Sequence, residues 1–321
     1  MGHVVRMTAT GAFGITFIFL VDAANLFWVS QLGNPQLVAA IGFAYAIQFF
    51  SVSVAVGLMI TATALISRSV GAGEQGLARR QAGAAIVIAL GVMSIVVALI
   101  VLNRHGLLAL AGAEGETARL AARYLAMTIP SLIPMSVALV CSGTLRAYGY
   151  GAKAMYVTMF SGIVLLVFDP FLIFYLEWGL DGAAIGLVLF RFALLGLSIY
   201  FAIFQTRLVA RPRLRTLRNL SRPFTGIAIP TIATQMSTPA GNYVMTIVMS
   251  QFGDEAMAAW AVVGRLTVVV FGGIFALSGA IGGIFGQNFG AGQMARVRST
   301  YRHALIFCAA YTLVAWALML S

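Results

Sequence analysis

Nine apolar segments, at about 7–31, 36–67, 82–102, 118–145, 154–176, 182–205, 224–252, 256–286 and 303–320, dominate this chain. Each is long enough to cross a hydrocarbon layer of about 30 Å, and lipid offers no hydrogen bonds to a backbone, so each must close its own bonds as a helix. The expected fold is therefore an all-α polytopic membrane protein with about nine transmembrane helices. Only 9% of the residues are charged, against about a quarter in soluble domains, so a large-cored soluble protein is excluded.

The charges sort by side. The connection "QLGNPQ" carries no base, and "EWGLDG" and "QFGDEA" carry Glu177, Asp181, Asp254 and Glu255. The alternate connections hold Arg68, Arg79 and Arg80, then Arg146 and Lys153. Arg207, Arg211, Arg213, Arg215, Arg218 and Arg222 follow, then Arg296, Arg298 and Arg302. Only the third-to-fourth connection, with Arg104, Arg119 and Arg123, breaks the alternation. The positive-inside rule places the N-terminus and the 207–222 stretch in the cytoplasm. The net charge of +11 thus reflects topology, and no nucleic-acid partner is expected. Cys141 and Cys308 lie in apolar stretches, and His3, His105 and His303 fall near segment ends. None has metal-ligand spacing.

An internal repeat is visible. "SQLGNPQLVAA" (30–40) matches "SQFGDEAMAAW" (250–260) at an offset of 220, and "RSVGAGEQ" (68–75) matches "NFGAGQMA" (288–295) on "GAG" at an offset of 219. Both copies keep the same in–out sense, so the repeat is direct and contains an even number of spans. This gives a first lobe of six helices at 1–206, a basic linker at 207–222, and a partial second lobe of about three helices at 223–321. A complete second copy needs about a hundred more residues, at roughly 20 per span plus connections, so the chain reads as truncated.

The same residues carry a family resemblance. "VDAANLFWVSQLG", "AAIGFAYAIQFF" and "SRSVGAGE", then "TLRAYGYGAKAMYV", "FDPFLIFYLEWGLDGAAIG", "AWAVVGRL" and "GQNFGAGQ", resemble in order and spacing the multidrug and toxic compound extrusion (MATE) transporters, in particular their DinF-like branch. The resemblance implies two six-helix lobes around a V-shaped cavity, in a bacterial inner membrane. It further implies a monomeric antiporter that expels cationic or amphiphilic compounds in exchange for protons or sodium ions, and neither an enzyme nor a user of a cofactor. Many DinF-like relatives have an Asn one turn before the aspartate of the fifth helix, where this chain has Leu165.

Two acidic residues, Asp22 and Asp169, fall well inside the spans. An intramembrane carboxyl is costly and defaults to function, because burial lets a proton gradient load and unload it. The resemblance assigns both to cation coupling; the plain alternative is a structural hydrogen bond across the bundle. Pro170, with no N–H, loosens the ladder beside Asp169. Arg191 and Arg265 are the other intramembrane charges. A guanidinium does not deprotonate, so each is expected to snorkel or to bind helix-end carbonyls or a carboxylate. Asn25, Tyr45, Gln48, Ser142, Gln235 and Asn242 are the candidates to line a substrate cavity. Pro130 and Pro134, and Pro230 and Pro239, are candidate kinks, the alternative being that they are tolerated because neighbouring helices re-satisfy the backbone. The loops "GAGEQGLAR" and "GAGQMAR" lack the Lys-Ser/Thr ending of a phosphate loop, so no ATP site is expected.

Three other readings compete. A lipid-linked flippase of the same superfamily needs several basic cavity residues, and only Arg191 and Arg265 are candidates. An intramembrane prenyltransferase needs clustered aspartates for magnesium, whereas Asp22 and Asp169 stand apart. An inactive fragment is the third.

Overall fold

The computed structural model describes residues 17, 21, 24, 25, 27–212, 214–250, 252, 263 and 281–320. Among them no strand occurs. The helical residues of 17–30 form α1. Then come α2 (Pro35–Gly71), α3 (Gln75–Leu110), α4 (Gly115–Thr128), α5 (Leu132–Ala147), α6 (Gly151–Pro170), α7 (Gly179–Ile199) and α8 (Leu214–Ser250). Residues 281–290 are α9, and α10 is Met294–Leu320. Five stretches among the described residues are long and apolar enough to cross a membrane, from Gln36–Gly71 through Gly179–Gln205, and α8 and α10 add 37 and 27 helical residues. This is consistent with nine spans. Asp22, Arg213, Asp254, Glu255 and Arg265, together with most of the first and eighth apolar segments, lie outside the described residues.

The helices outrun the apolar segments that announce them. Hydropathy marks only the part facing lipid, and the helix continues into the polar boundary until a capping or left-handed residue stops it. Asn34 starts α2 by accepting the Gln36 N–H at 2.9 Å, with Pro35 in the first turn, where a missing N–H costs nothing. Gly73, at φ +79°, turns the chain out of α2; an L side chain there would be strained. The basic stretch divides similarly. Residues 214–222 are the first turns of α8, and before them the Ala210 N–H donates to the Arg79 carbonyl at 2.9 Å, docking the connection onto α3.

α2 is the central helix and packs against α3, α5 and α8, while α6 lies against α7. The contacts are made by small residues, including Ala40, Ala44, Ala55 and Ala62 of α2 and Ala78, Ala82, Ala85 and Ala89 of α3, all buried. Small side chains let helix backbones approach, which is what dispersion requires once both helices are already out of water. Large apolar residues such as Ile95, Leu99 and Leu102 point outward instead. The helix hydroxyls bond one turn back, as Thr61 Oγ1 does to the Gly57 carbonyl at 2.8 Å.

The arginines that break the charge alternation are occupied locally. Arg119 pairs with Glu116 at 2.5 Å, Arg123 pairs with Asp181 across α4 and α7, and Arg104 Nη1 donates to the Val101 carbonyl at 2.7 Å.

Candidate functional site: a buried carboxyl and a buried guanidinium

Asp169 sits at the end of α6, fully buried at 0% exposure. Pro170 follows it, and the helix widens into a π-helical turn over Phe171–Tyr175. Such turns are the usual relief where the i→i−4 ladder is interrupted. One of its oxygens, Oδ2, accepts a hydrogen bond from Asn25 Nδ2 of α1 at 2.5 Å. The other, Oδ1, has no partner among the described residues. It rests against α7 at Gly186, where an added Cβ would lie 1.8 Å from Oδ1. Leu165, one turn earlier on α6, is buried and offers nothing polar. A buried carboxyl with one donor is under-satisfied, and a buried charge in that state is far more costly than a neutral acid.

The second polar centre is saturated. Arg191 of α7 is 4% exposed. Its Nη1 donates to the Thr128 carbonyl at 2.7 Å and to Ser131 Oγ at 2.9 Å, and its Nη2 donates to Gln48 Oε1 at 2.6 Å. Gln48 Nε2 in turn donates to Thr128 Oγ1 at 3.1 Å. The sequence dictates this acceptor. Between α4 and α5 the chain tightens to a 3-10 turn over Ile129–Ser131, with Pro130 in it, and the Leu132 N–H bonds Ile129 O. The Thr128 carbonyl, one residue further back, is taken by Ser131 Oγ and the guanidinium. Of the alternatives expected for Arg191, the helix-end carbonyl is the one seen, joined by a hydroxyl and an amide oxygen.

The six cavity candidates part company. Asn25 is bonded to Asp169 and Gln48 to Arg191, and both are buried. Tyr45 is half exposed on α2, its ring 5.7 Å from that of Phe49 and nearly parallel to it. Ser142 is buried in α5, whereas on α8 Gln235 is half-buried and Asn242 exposed. Sequence reasoning passed over Gly186, Thr128 and Ser131. Gly186 is one glycine among 34, and nothing local marks it as the floor of a carboxyl site. The hydroxyls flanking Pro130 in "TIPS" were the available sign of a broken helix needing acceptors and donors.

Between α1–α7 and α8–α10 there is a tight seam. At the end carrying the "GAG" turns, a Cβ on Gly286 would meet Ser67 Oγ at 1.8 Å, and one on Gly290 would meet the Arg68 carbonyl at 1.9 Å. Gln287 Nε2 donates to the Ala147 carbonyl at 2.6 Å, tying α9 to the end of α5. Arg68 lies over the Phe289 ring, 5.2 Å from its centre.

The model of the MatE family matches residues 12–171 and 230–321. This chain belongs to the MatE family. MatE proteins are multi-pass membrane transporters, not enzymes. The chain is similar to the FAD transporter of Shewanella oneidensis, at 26% identity over 310 residues, covering 94% of this chain and 68% of that one. It is similar to the multidrug export protein MepA of Staphylococcus aureus, at 25% identity over 255 residues, or 75% of this chain and 54% of that one. Among solved structures, an aspartate-to-asparagine variant of VcmN, a MATE transporter of Vibrio cholerae, superimposes with a TM-score of 0.89 at 26% identity, covering 98% of this chain and 71% of the other.

Proposed function

We propose that this MatE protein belongs to a secondary antiporter that exports cationic or amphiphilic small molecules in exchange for a coupling cation, a proton or sodium ion. Asp169 and Asp22 are the coupling carboxyls. The observation that carries the reading is the state of Asp169: wholly buried, with one hydrogen bond from Asn25 and an oxygen with no partner among the described residues. Such a group binds a cation in this conformation and gives it up in one where water or a new donor reaches it. The seam between the two sets of helices supplies the second element of the scheme, since alternate access requires it to open. A ligand shifts such an equilibrium only by its differential affinity for the two states. The similarity to MepA supports the substrate class.

The similarity to an FAD transporter over 94% of this chain supports a second reading, in which the cargo is a flavin nucleotide. The stacked, half-exposed pair Tyr45 and Phe49 is a surface on which a planar ring system could lie. The arginine alternation supports a cytoplasmic N-terminus and a cytoplasmic 207–222 stretch in a bacterial inner membrane.

Reconstituted into vesicles, the wild type should exchange substrate against an imposed proton or sodium gradient. Asp169→Asn keeps the shape and cannot ionise, so it should insert and fold yet slow gradient-driven exchange by about ten- to a hundredfold, the scale of losing one buried charge-assisted interaction. Gradient-driven exchange at the wild-type rate would make Asp169 a structural residue. Running ethidium and FAD as alternative cargoes separates the two substrate readings.

A further inference from the structure

We propose that Arg191 is a positioning residue for the Asp169 site: by fastening α7 to α2 and to the α4–α5 corner, it holds the Gly186 backbone seated against Asp169 Oδ1. The inference rests on the reading of Asp169 as a coupling carboxyl.

α7 lies against α6 on one side and against α4, α5 and the turn between them on the other, and from there Arg191 reaches Gln48 of α2. Gly186 and Arg191 are five residues apart, about 7.5 Å along the helix and about 140° around it. Gly186 therefore serves the α6 side while Arg191 serves the opposite one. On the α6 side the fit has no slack, since a Cβ at 186 would lie 1.8 Å from Oδ1. Movement of α7 away from α6 by a fraction of that distance opens room beside the carboxyl. On the far side, Arg191 makes three hydrogen bonds of 2.6–2.9 Å, to Gln48 of α2 and to Thr128 and Ser131 of the corner. Its fork is planar and permanently charged, so this fastening persists at any pH at which Asp169 exchanges a proton. The Thr128 carbonyl that it holds belongs to a turn fixed by Pro130, so the anchor point is itself rigid.

Among the described residues, the following charged and titratable side chains on the helices packed against α6 point away from Asp169. Arg191 faces the corner, Arg146 Nη1 lies 3.4 Å from Met59 Sδ, Asp181 pairs with Arg123, and Cys141 packs in a separate apolar cluster with Leu208 and Ala202. Asp22, three residues before Asn25, lies outside the described residues.

The test uses the purified chain and a built-in reporter. The Trp28 ring of α1 packs edge-on against Phe174, 6.1 Å away, in the π-helical turn just after Asp169. With Trp178, Trp260 and Trp316 replaced by Phe, and Asp22 by Asn so that the other proposed coupling carboxyl cannot titrate, Trp28 fluorescence is followed against pH. The expected trace has one titration that vanishes in Asp169→Asn. Arg191→Met, which keeps length and removes the fork, should move its midpoint about one pH unit toward acid, a tenfold change in proton affinity, as water enters beside a loosened α7. Gln48→Met, which removes one acceptor only, should move it the same way by less. A folded Arg191→Met with the wild-type midpoint overturns the proposal. If that variant does not fold, a folded Gln48→Met with an unmoved midpoint overturns it instead. A titration that survives in Asp169→Asn, or no titration in the parent, refutes the reading of Asp169 and this inference with it. Its loss in Asp169→Asn with an unmoved midpoint in Arg191→Met refutes this inference alone.

Discussion

Asp169 and Arg191 are both charged-type side chains buried in the same lobe, and they are treated in opposite ways. The guanidinium is given a carbonyl, a hydroxyl and an amide oxygen, each within 2.9 Å. The carboxyl receives one amide N–H, and its second oxygen is pressed against a glycine. A saturated centre has no reason to change state, because every alternative loses bonds. An under-satisfied one has a reason, because a cation, water or a moved helix can improve it. On the proposed reading, Arg191 is part of the frame and Asp169 is the group on which a transport cycle acts.

Three measurements can break or sharpen that contrast. The largest effect is expected at the saturated centre. Arg191→Met leaves Gln48 Oε1, Ser131 Oγ and the Thr128 carbonyl short of a donor, and should lower unfolding stability by about 3 kcal/mol, the scale of breaking a buried charged network. Denaturant unfolding in mixed micelles would show it, and a loss under about 1 kcal/mol would mean that the network is dispensable. Gly186→Ala comes next. Its Cβ would press into Asp169 Oδ1, so α6 and α7 must part or the carboxyl must turn, at a cost of about 2 kcal/mol, typical of overpacking. Equal stability of the alanine variant would show that the seat beneath the carboxyl is soft. The smallest effect is expected for Asn25→Leu, which removes a single hydrogen bond. If Asp169 is neutral in this conformation the loss is about 1 kcal/mol; a loss nearer 3 kcal/mol, the range for bonds to charged groups, would show it ionised and reverse the assignment of its resting state.

The legibility of these centres in the sequence was uneven. Asp169 stood out because a carboxyl in an apolar run is expensive whatever surrounds it. The partner class of Arg191 followed from chemistry, since a buried guanidinium with no deprotonated form must find oxygens. The identity of those oxygens did not follow. Gln48 is a candidate for a cavity wall because an amide on an apolar helix has no local clue to its direction, and only the reach of the Arg191 side chain from α7 commits it to that partner, 143 residues away. Asn25 was read the same way, and the approach of α1 to α6 turned it toward Asp169, 144 residues away.

The sequence by itself determined the all-α membrane-spanning class, the places of the apolar segments and the clustering of most arginines in alternate connections. Each is a local property, fixed by hydropathy, backbone hydrogen bonding and the asymmetry of the membrane. The tertiary structure alone decided which helix faces meet, and hence that Asp169 rests on Gly186 with one donor while Arg191 is fully held. In lipid no hydrophobic gradient tells one helix face from another, so the choice falls to close packing of small residues and to a few long-range hydrogen bonds. Neither leaves a periodic mark along the chain.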